Sequence, residues 1–380
     1  MKKRNIYQNQ SQELLFLFEN AGNNDKVMCV PMDYAKNDHL VMFCNGHGDI
    51  LRKPFSVKNT PEGLAYIEDQ VTRSCTKRGI KKEHVFFGGE DANSFAKNFV
   101  TTLRSKGFLV ANVNAHDAKK QRESVQASTD RIDLMGIAAM LLNCRGNCCP
   151  AQSCIYRNLR LLVRHRRKLV QMLTEVKNRV HGIVDELFPG FLKEQNTGIV
   201  AFTESSLYLM EDRFSPKQIC RRKRKKLIEI LKRFGTSKAE QTAAKLQQYA
   251  AKVLHAPVEY VDTMQLSLSQ HVKHIRCLKE SIAQMEKEIA LNLAQTQGAF
   301  LTSVRGIGLI LAAGVTAEIG DPNEQKPLNN LSSYAGIVPR VKQTGGIEGK
   351  TYTGPVARRC NRILKDYVVQ SAHHLSLIHI

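Results

Sequence analysis

The strongest constraint on the fold is the order in which hydrophobic periods follow one another over the first 142 residues. Val27–Asp33 is an apolar run that ends in an acid. His39–Cys44 is a second run, Asn45-Gly46-His47-Gly48-Asp49 has turn composition, and Ile50–Val57 reads as a third strand. Thr60-Pro61-Glu62 opens a helix to about Cys75, with Thr as the cap and Pro at the first helical position. His84–Glu90 predicts a fourth strand ending in an acid, Ser94–Lys106 a helix, and Phe108–Val113 a fifth strand. Ser128 or Thr129 then caps a helix with Ile132, Met135, Ala139 and Leu142 at helical spacing.

Three meandering strands followed by helix, strand, helix, strand, helix is the order of a ribonuclease-H-like fold. In that layout the ends of the first and fourth strands and the last helix converge on one edge of the sheet. Asp33, Glu90 and the pair Asp130/Asp133 occupy those places. The pair is three residues apart, so both carboxylates leave one helix face. Each acid alone reads as an ordinary strand-end or helix-start carboxylate. Four in one cleft would repel unless they held divalent cations, and hard oxygen ligands suit Mg²⁺. Paired Mg²⁺ ions are a recurrent device of phosphodiester chemistry.

Charge narrows the partner. Among 380 residues, 56 are Lys or Arg against 35 Asp or Glu, a formal charge of +21, which points to a polyanion and to nucleic acid before membrane. No stretch approaches the ~20 apolar residues of a membrane span. Leu14–Phe18 is too short and too far along for a signal peptide, so a cytoplasmic protein acting at the nucleoid is expected. The 10 cysteines then read as reduced thiols. The cluster Cys144, Cys148, Cys149, Cys154 matches no zinc-ligand spacing and reads as a loop. Residues 1–25, polar and Gln/Asn-rich, read as a loose tail, and 26–150 as the α/β domain.

Residues 151–297 form a basic, helical linker. Leu159–Leu187 has helical periodicity with Arg164, Arg166, Arg167 and Lys168 on its polar side. Arg221, Arg222, Lys223, Arg224, Lys225 and Lys226 are the densest charge run, suited to phosphate contact. Leu268, Val272, Ile275, Ile282, Met285 and Ile289 keep a seven-residue register that Lys279 breaks once, which fits either an antiparallel intramolecular pair or a dimerising coiled coil. Residues 298–380 begin with Arg305-Gly306-Ile307-Gly308, a turn that offers backbone N–H groups to an anion at a helix start. Such a turn grips the DNA backbone without reading sequence. Further on, Thr344 precedes Gly345-Gly346; a hydroxyl held on such a loop is a candidate nucleophile, although a plain turn threonine is the simpler reading.

Together these features resemble the DEDD-type insertion-sequence transposases, the family of Piv-type DNA invertases and bridge-RNA-guided recombinases. The likeness covers roughly residues 27–375 and rests on Asp33, Glu90, Thr129-Asp130-x-x-Asp133, Arg305–Ala313, Ala317–Asp321 and Tyr334–Pro339. It implies a RuvC-like domain whose four acids hold Mg²⁺, followed by a long helical, coiled-coil segment and a small, mostly α C-terminal transposase domain. It also implies a nucleophilic residue before the paired glycines that becomes covalently linked to DNA. That residue is typically serine; here it is Thr344, with the same hydroxyl and an added methyl. Where family members tend to show E-x-T-G, this chain has Glu90-Asp-Ala-Asn. The ending at Leu375–Ile380 lacks the polar helix expected there, as in a truncated chain or one whose last residues are not native.

The function implied is cutting and rejoining DNA strands to mobilise an insertion sequence, guided by an element-encoded structured RNA. The partners implied are double-stranded DNA, that RNA, and further copies in a homodimer or homotetramer that share a composite active site. Two other readings use the same acids: a metal-dependent Holliday-junction nuclease, and an inactive remnant that only binds nucleic acid. An actin-like kinase does not fit, because Asp33-Tyr-Ala-Lys lacks the glycine of a phosphate-cradling turn.

Overall fold

The protein is described from a computed structural model. The described residues are 10–91, 95–114, 117–118, 129–148, 154–211, 214–254, 256, 258–322, 328–344, 350–356 and 360–376. The chain divides into two compact units, Met1–Ala151 and Gln152–Ile380.

In the first unit a five-stranded sheet has the order β3-β2-β1-β4-β5. Its strands are β1 (Met28–Asp33), β2 (Asp38–Asn45), β3 (Ile50–Lys58), β4 (Val85–Glu90) and β5 (Leu109–Asn112). β1, β2 and β3 form the antiparallel meander, whereas β4 pairs parallel with β1 and β5 parallel with β4. Strand alternation divides the core in two. Met28, Val30, Met32 and Phe87 face the layer of α2 (Pro61–Arg78) and α3 (Lys97–Ser105), packing with Ile67, Val71, Phe99 and Leu103. Cys29, Cys44 and Phe86 face the other layer with Leu134, Ile137 and Leu141 of α4 (Asp130–Leu142).

The expected tail differs. Gln12–Ala21 forms α1, capped by Ser11, whose Oγ accepts from the Leu14 N–H, and closed by Gly22 at φ 65°. Leu14 and Leu17, three apart, bury beside α4's apolar stripe. The apolar face of one short helix thus outweighs the polar composition around it.

The second unit is organised by two long helices, α5 (Cys154–Leu187) and α11 (Val258–Ala294). They run antiparallel: Leu159 and Val163 near the start of α5 cluster with Ile289 and Leu293 near the end of α11, and Arg166 pairs with Glu286 at 2.6 Å. The seven-residue register is thereby used within the chain, with Leu268, Val272, Ile275 and Ile289 fully buried. Lys279 leaves the register because its Nζ donates to the Phe202 carbonyl at 2.8 Å.

Between the long helices, α6 (Glu194–Thr197), α7 (Glu204–Glu211), α8 (Pro216–Arg221), α9 (Arg224–Arg233) and α10 (Ala239–Ala250) enclose a core around Phe188, Phe191 and Phe214. This part of the expected linker is a folded body with its own interior. At the other end lie α12 (Leu309–Ile319), α13 (Leu328–Ala335), α14 (Arg362–Ser376) and the antiparallel hairpin of β6 (Pro339–Thr344) and β7 (Lys350–Val356). Gly314 lets α12 approach α14: a Cβ there would stand 2.6 Å from the Tyr367 ring.

No described helix is long and apolar enough to cross a membrane.

Candidate active site and nucleic-acid interface

Asp33 and Glu90 close β1 and β4 and are direct register partners of the parallel pair. Neighbouring strands lie about 4.8 Å apart, so the two acids leave adjacent strand ends side by side. Their parity decides the face. Asp33 shares that of Cys29, and Glu90 that of Phe86, which is the face covered by α4.

α4 is brought to the same end. Its last residue, Leu142, packs 3.6 Å from a Cβ placed on Gly48, in the turn after β2, at the level where β1 begins. The helix therefore runs back along β1, which it contacts more than any other strand. Its 13 residues span about 18 Å, close to the rise of six-residue β1, so its first turn reaches the carboxyl ends of the strands. The close approach depends on Gly88, where a Cβ would stand 2.4 Å from Leu141; a Cβ on Gly89 would instead stand 2.1 Å from the Met32 carbonyl of neighbouring β1.

Thr129 caps α4, its Oγ1 accepting from the Ile132 N–H at 3.4 Å. Asp130 lies one turn before Leu134 and Asp133 one turn before Ile137, so both extend the buried stripe into the first turn. Asp130 is exposed and Asp133 half-buried. The structure thus brings Asp33 and Glu90 together and carries Asp130 and Asp133 to the same end of the same layer. It does not close the four into one cage: among the described residues no three His, Cys, Asp or Glu are arranged to hold a metal ion. The donor chemistry nonetheless fits Mg²⁺, which is commonly held by one or two carboxylates completed by water and substrate phosphate.

Residues the sequence did not single out support the strand ends. Tyr34, directly after Asp33, is buried with its ring over Gly89 and edge-on to His39 at 5.4 Å. Burial pushes its hydroxyl above the usual range, partly opposed by Arg104, while Asp91 adds to the rise. His39 is fully buried and its Nδ1 accepts from the Ala35 N–H at 3.3 Å; burial holds its pKa below the ordinary value. The adjacency of Tyr34 to Asp33 was the one available signal.

In the second unit the cationic run is divided. Arg221 ends α8, Arg222 and Lys223 are extended, and Arg224 begins α9. Arg221, Lys223, Arg224, Lys225 and Lys226 are exposed, whereas Arg222 is half-buried and its carbonyl accepts from Gln247 Nε2 at 2.9 Å. The Arg305-Gly306-Ile307-Gly308 turn is formed as read. Gly306 sits at φ 92°, where a side chain would be strained, and Gly308 begins α12 with no side-chain cap. Exposed Arg305 stands beside these N–H groups, which suits an anion. Thr344 closes β6 opposite Lys350. Its side chain and the glycines after it lie outside the described residues.

Behind the α12 turn lies a buried node. Glu318 is fully buried on its side chain and takes two hydrogen bonds from Arg164, each 2.8 Å. Asn361 Nδ2 donates to Glu318 at 2.7 Å and to Tyr334 Oη at 2.8 Å, and Asn361 Oδ1 accepts from the first N–H groups of α14. Arg160 donates to the Ala317 and Glu318 carbonyls at the end of α12. Two of the recognised sequence signatures, at Ala317–Asp321 and Tyr334–Pro339, therefore meet at one polar centre.

A family model of the DEDD IS110 type, described as Transposase, matches residues 30–189. A second, described as Transposase IS116/IS110/IS902 family, matches residues 298–379. A protein of Streptomyces coelicolor named "Insertion element IS110 uncharacterized 43.6 kDa protein" is 25% identical over 195 residues, which is 50% of this chain and 47% of that protein. The chain thus spans about half the length of this curated relative. With the first model covering β1 through α5, the second covering α12 through α14, and a relative of the same name, the chain belongs to the IS110 family of transposases.

Proposed function

We propose that this chain is a DNA recombinase that cuts and rejoins strands to move an insertion sequence. The observation that carries the reading is the register partnership of Asp33 with Glu90 on the sheet face that α4 covers. Asp33 and Glu90, joined by Asp130 and Asp133, would hold Mg²⁺. The ion would supply positive charge at the scissile phosphate and favour ionisation of the attacking hydroxyl. Thr344 is the nucleophile in this reading: its oxygen bonds to phosphorus, a deoxyribose oxygen leaves carrying a proton, and the phosphothreonine keeps the bond energy for rejoining. The cationic run and the Arg305 turn hold phosphates of double-stranded DNA and of a structured guide RNA, while base pairing supplies sequence. The working assembly is a homodimer or homotetramer.

Incubating the protein with Mg²⁺ and a plasmid carrying both element ends tests this directly. Covalent protein–DNA adducts should form and vanish in Thr344→Ala. Adducts that persist in Thr344→Ala exclude Thr344 as nucleophile. Free nicked ends on a branched substrate would support a junction nuclease instead, and gel shifts without cleavage under any divalent metal an inactive binder.

A further inference from the structure

Asp33 pairs with Leu40 on β2 and with Glu90 on β4, and the β1–β4 ladder ends at that second pair. Continued by one residue, the same register sets Tyr34 between His39 and Asp91. Alternation turns these three to the opposite face of the sheet, against α2 and α3. Tyr34 belongs to that core with its ring over Gly89, and the His39 ring meets Phe99 of α3 edge-on at 4.8 Å. One row thus carries the acids on the α4 side, and the next carries phenol, imidazole and carboxylate directly behind them.

The second row holds three unmet hydrogen-bonding atoms. Tyr34 Oη, His39 Nε2 and Asp91 Oδ1 are all buried, and none has a hydrogen-bond partner among the described residues. Tyr34 is 7% exposed and His39 0%. Asn59, whose Nδ2 donates to the Lys36 and Phe95 carbonyls, favours the charged imidazole but lies outside hydrogen-bond geometry with it. Buried polar groups are ordinarily paired, so three orphans in one row point to a partner from outside the chain. Their chemistry identifies it. His39 Nδ1 accepts from the Ala35 N–H, so the neutral imidazole carries its proton on Nε2, which is a donor and no metal ligand. The tyrosine hydroxyl donates or accepts, and Asp91 Oδ1 accepts. Water satisfies donors and acceptors together; a cation does not.

We propose that Tyr34, His39 and Asp91, joined through internal water, are positioning residues that hold Asp33 and Glu90 at the spacing a divalent cation requires. Each is tied to an acid through the backbone. Tyr34 directly follows Asp33, Asp91 directly follows Glu90, and His39 precedes Leu40, the register partner of Asp33. The acid pair is the last of its ladder, so what steadies these strand ends comes from the row behind. Groups one step removed from a metal orient its ligands, and their loss commonly weakens metal binding about 10–100-fold. The inference rests on the reading of Asp33 and Glu90 as metal holders; its three residues act through those acids and not on the ion.

Two measurements on the full-length chain test this: amide hydrogen exchange without metal, and Mn²⁺ binding followed by electron paramagnetic resonance. Tyr34→Phe deletes one oxygen, and His39→Leu replaces the imidazole donor by an apolar group. In each, the amides of residues 33–40 and 90–91 should exchange about five- to tenfold faster, while those of residues 28–30 keep native rates. Mn²⁺ binding should weaken about tenfold, and His39→Gln, which keeps a donor, should restore both readouts. A tyrosine that merely fills the core would show neither change, because phenylalanine fills it equally. Native exchange at the strand ends in both variants overturns the node. Faster exchange with unchanged Mn²⁺ affinity, where Asp33→Asn does weaken Mn²⁺ binding, overturns its positioning role. If Asp33→Asn binds Mn²⁺ as the native protein does, the metal reading of the acids fails and the positioning role falls with it. That failure is told apart from a failure of the node, because the exchange measurement needs no metal. Where His39→Leu does not fold, Tyr34→Phe decides the matter.

Discussion

Arg164 and Glu318, 154 residues apart in sequence, meet as a fork: Nε and Nη2 of the arginine each donate at 2.8 Å to a different oxygen of one carboxylate. The carboxylate has no exposed side-chain surface, whereas 47% of the arginine side chain faces solvent. That asymmetry sets the expected costs. Removing the arginine strands a buried charge that Asn361 alone then serves, while removing the glutamate leaves a cation that water can reach. Arg164→Ala should therefore destabilise by about 3 kcal/mol and Glu318→Ala by less. The double variant should resemble Arg164→Ala or be milder, giving a coupling of about 1–3 kcal/mol in a thermal-unfolding cycle. Simple additivity would mean that the fork contributes nothing of its own.

The same carboxyl gives a pH signature. Burial alone would raise its pKa, but the Arg164 and Asn361 hydrogen bonds and the charges of Arg164 and Arg160 outweigh burial and hold it below the ordinary 4.5. A depressed folded-state pKa means that the unfolded chain binds the proton more readily. The stability is therefore complete above about pH 4.5 and is lost as pH falls through the folded-state value. Melting temperature measured between about pH 3 and 6 should fall more steeply for the native protein than for Glu318→Gln, which has no proton to take up there. Parallel slopes would mean that other carboxylates govern acid unfolding.

How much of this was legible depends on whether the signal was local. β1 through β5 and α4 could be read because runs such as Val27–Asp33 and the Thr129 cap carry their period within a few residues. α1 was masked by its polar neighbours, although Leu14, Leu17, Ser11 and Gly22 were all in view. The seven-residue register of α11 announced a partner without naming α5, since a heptad specifies a surface and not its mate. The acids were readable as strand ends, and Asp33 beside Glu90 followed from strand order. Glu318 was visible only inside a signature, because nothing near it in sequence indicates Arg164.

Glycines 88 and 89 make a third prediction. A methyl at 88 would meet chiefly the Leu141 side chain, at 2.4 Å, and the Ala111 backbone oxygen only at 2.9 Å, whereas one at 89 would meet the Met32 backbone oxygen at 2.1 Å. Side chains yield more easily than a strand backbone. Gly88→Ala should thus cost about 1–2 kcal/mol by lifting α4 from the sheet, and Gly89→Ala about 3 kcal/mol or more. Chemical denaturation of both variants checks the order, and equal costs would show that the sheet relaxes as readily as the helix.

At the α12 turn, conformation and charge can be separated. Gly306 at φ 92° tolerates no side chain without strain, so Gly306→Ala should lower stability by about 1–2 kcal/mol. Exposed Arg305 can lose its charge without touching the fold. Arg305→Gln should keep the melting temperature and weaken binding to duplex DNA about equally for any sequence, with the salt slope reduced by about 0.9, as for one lost phosphate contact. A loss confined to particular sequences would make Arg305 a reader of bases instead.

The acids at the strand ends should show a conflict between stability and activity. Asp33 and Glu90 stand on adjacent positions of neighbouring strands, where like charges are destabilising. Without divalent metal, Asp33→Asn removes one of the two charges and should raise stability by about 0.5–1 kcal/mol. If Asp33 holds Mg²⁺ together with Glu90, Asp130 and Asp133 as proposed, the ion should stabilise the native protein more than Asp33→Asn. Strand cleavage should be lost in the same variant. Differential scanning calorimetry of both proteins, with EDTA and with Mg²⁺, gives the four values required. If Asp33→Asn is less stable than the native protein in EDTA, the carboxylate serves the fold through its hydrogen bonds, and a metal-binding role for it loses its physical basis.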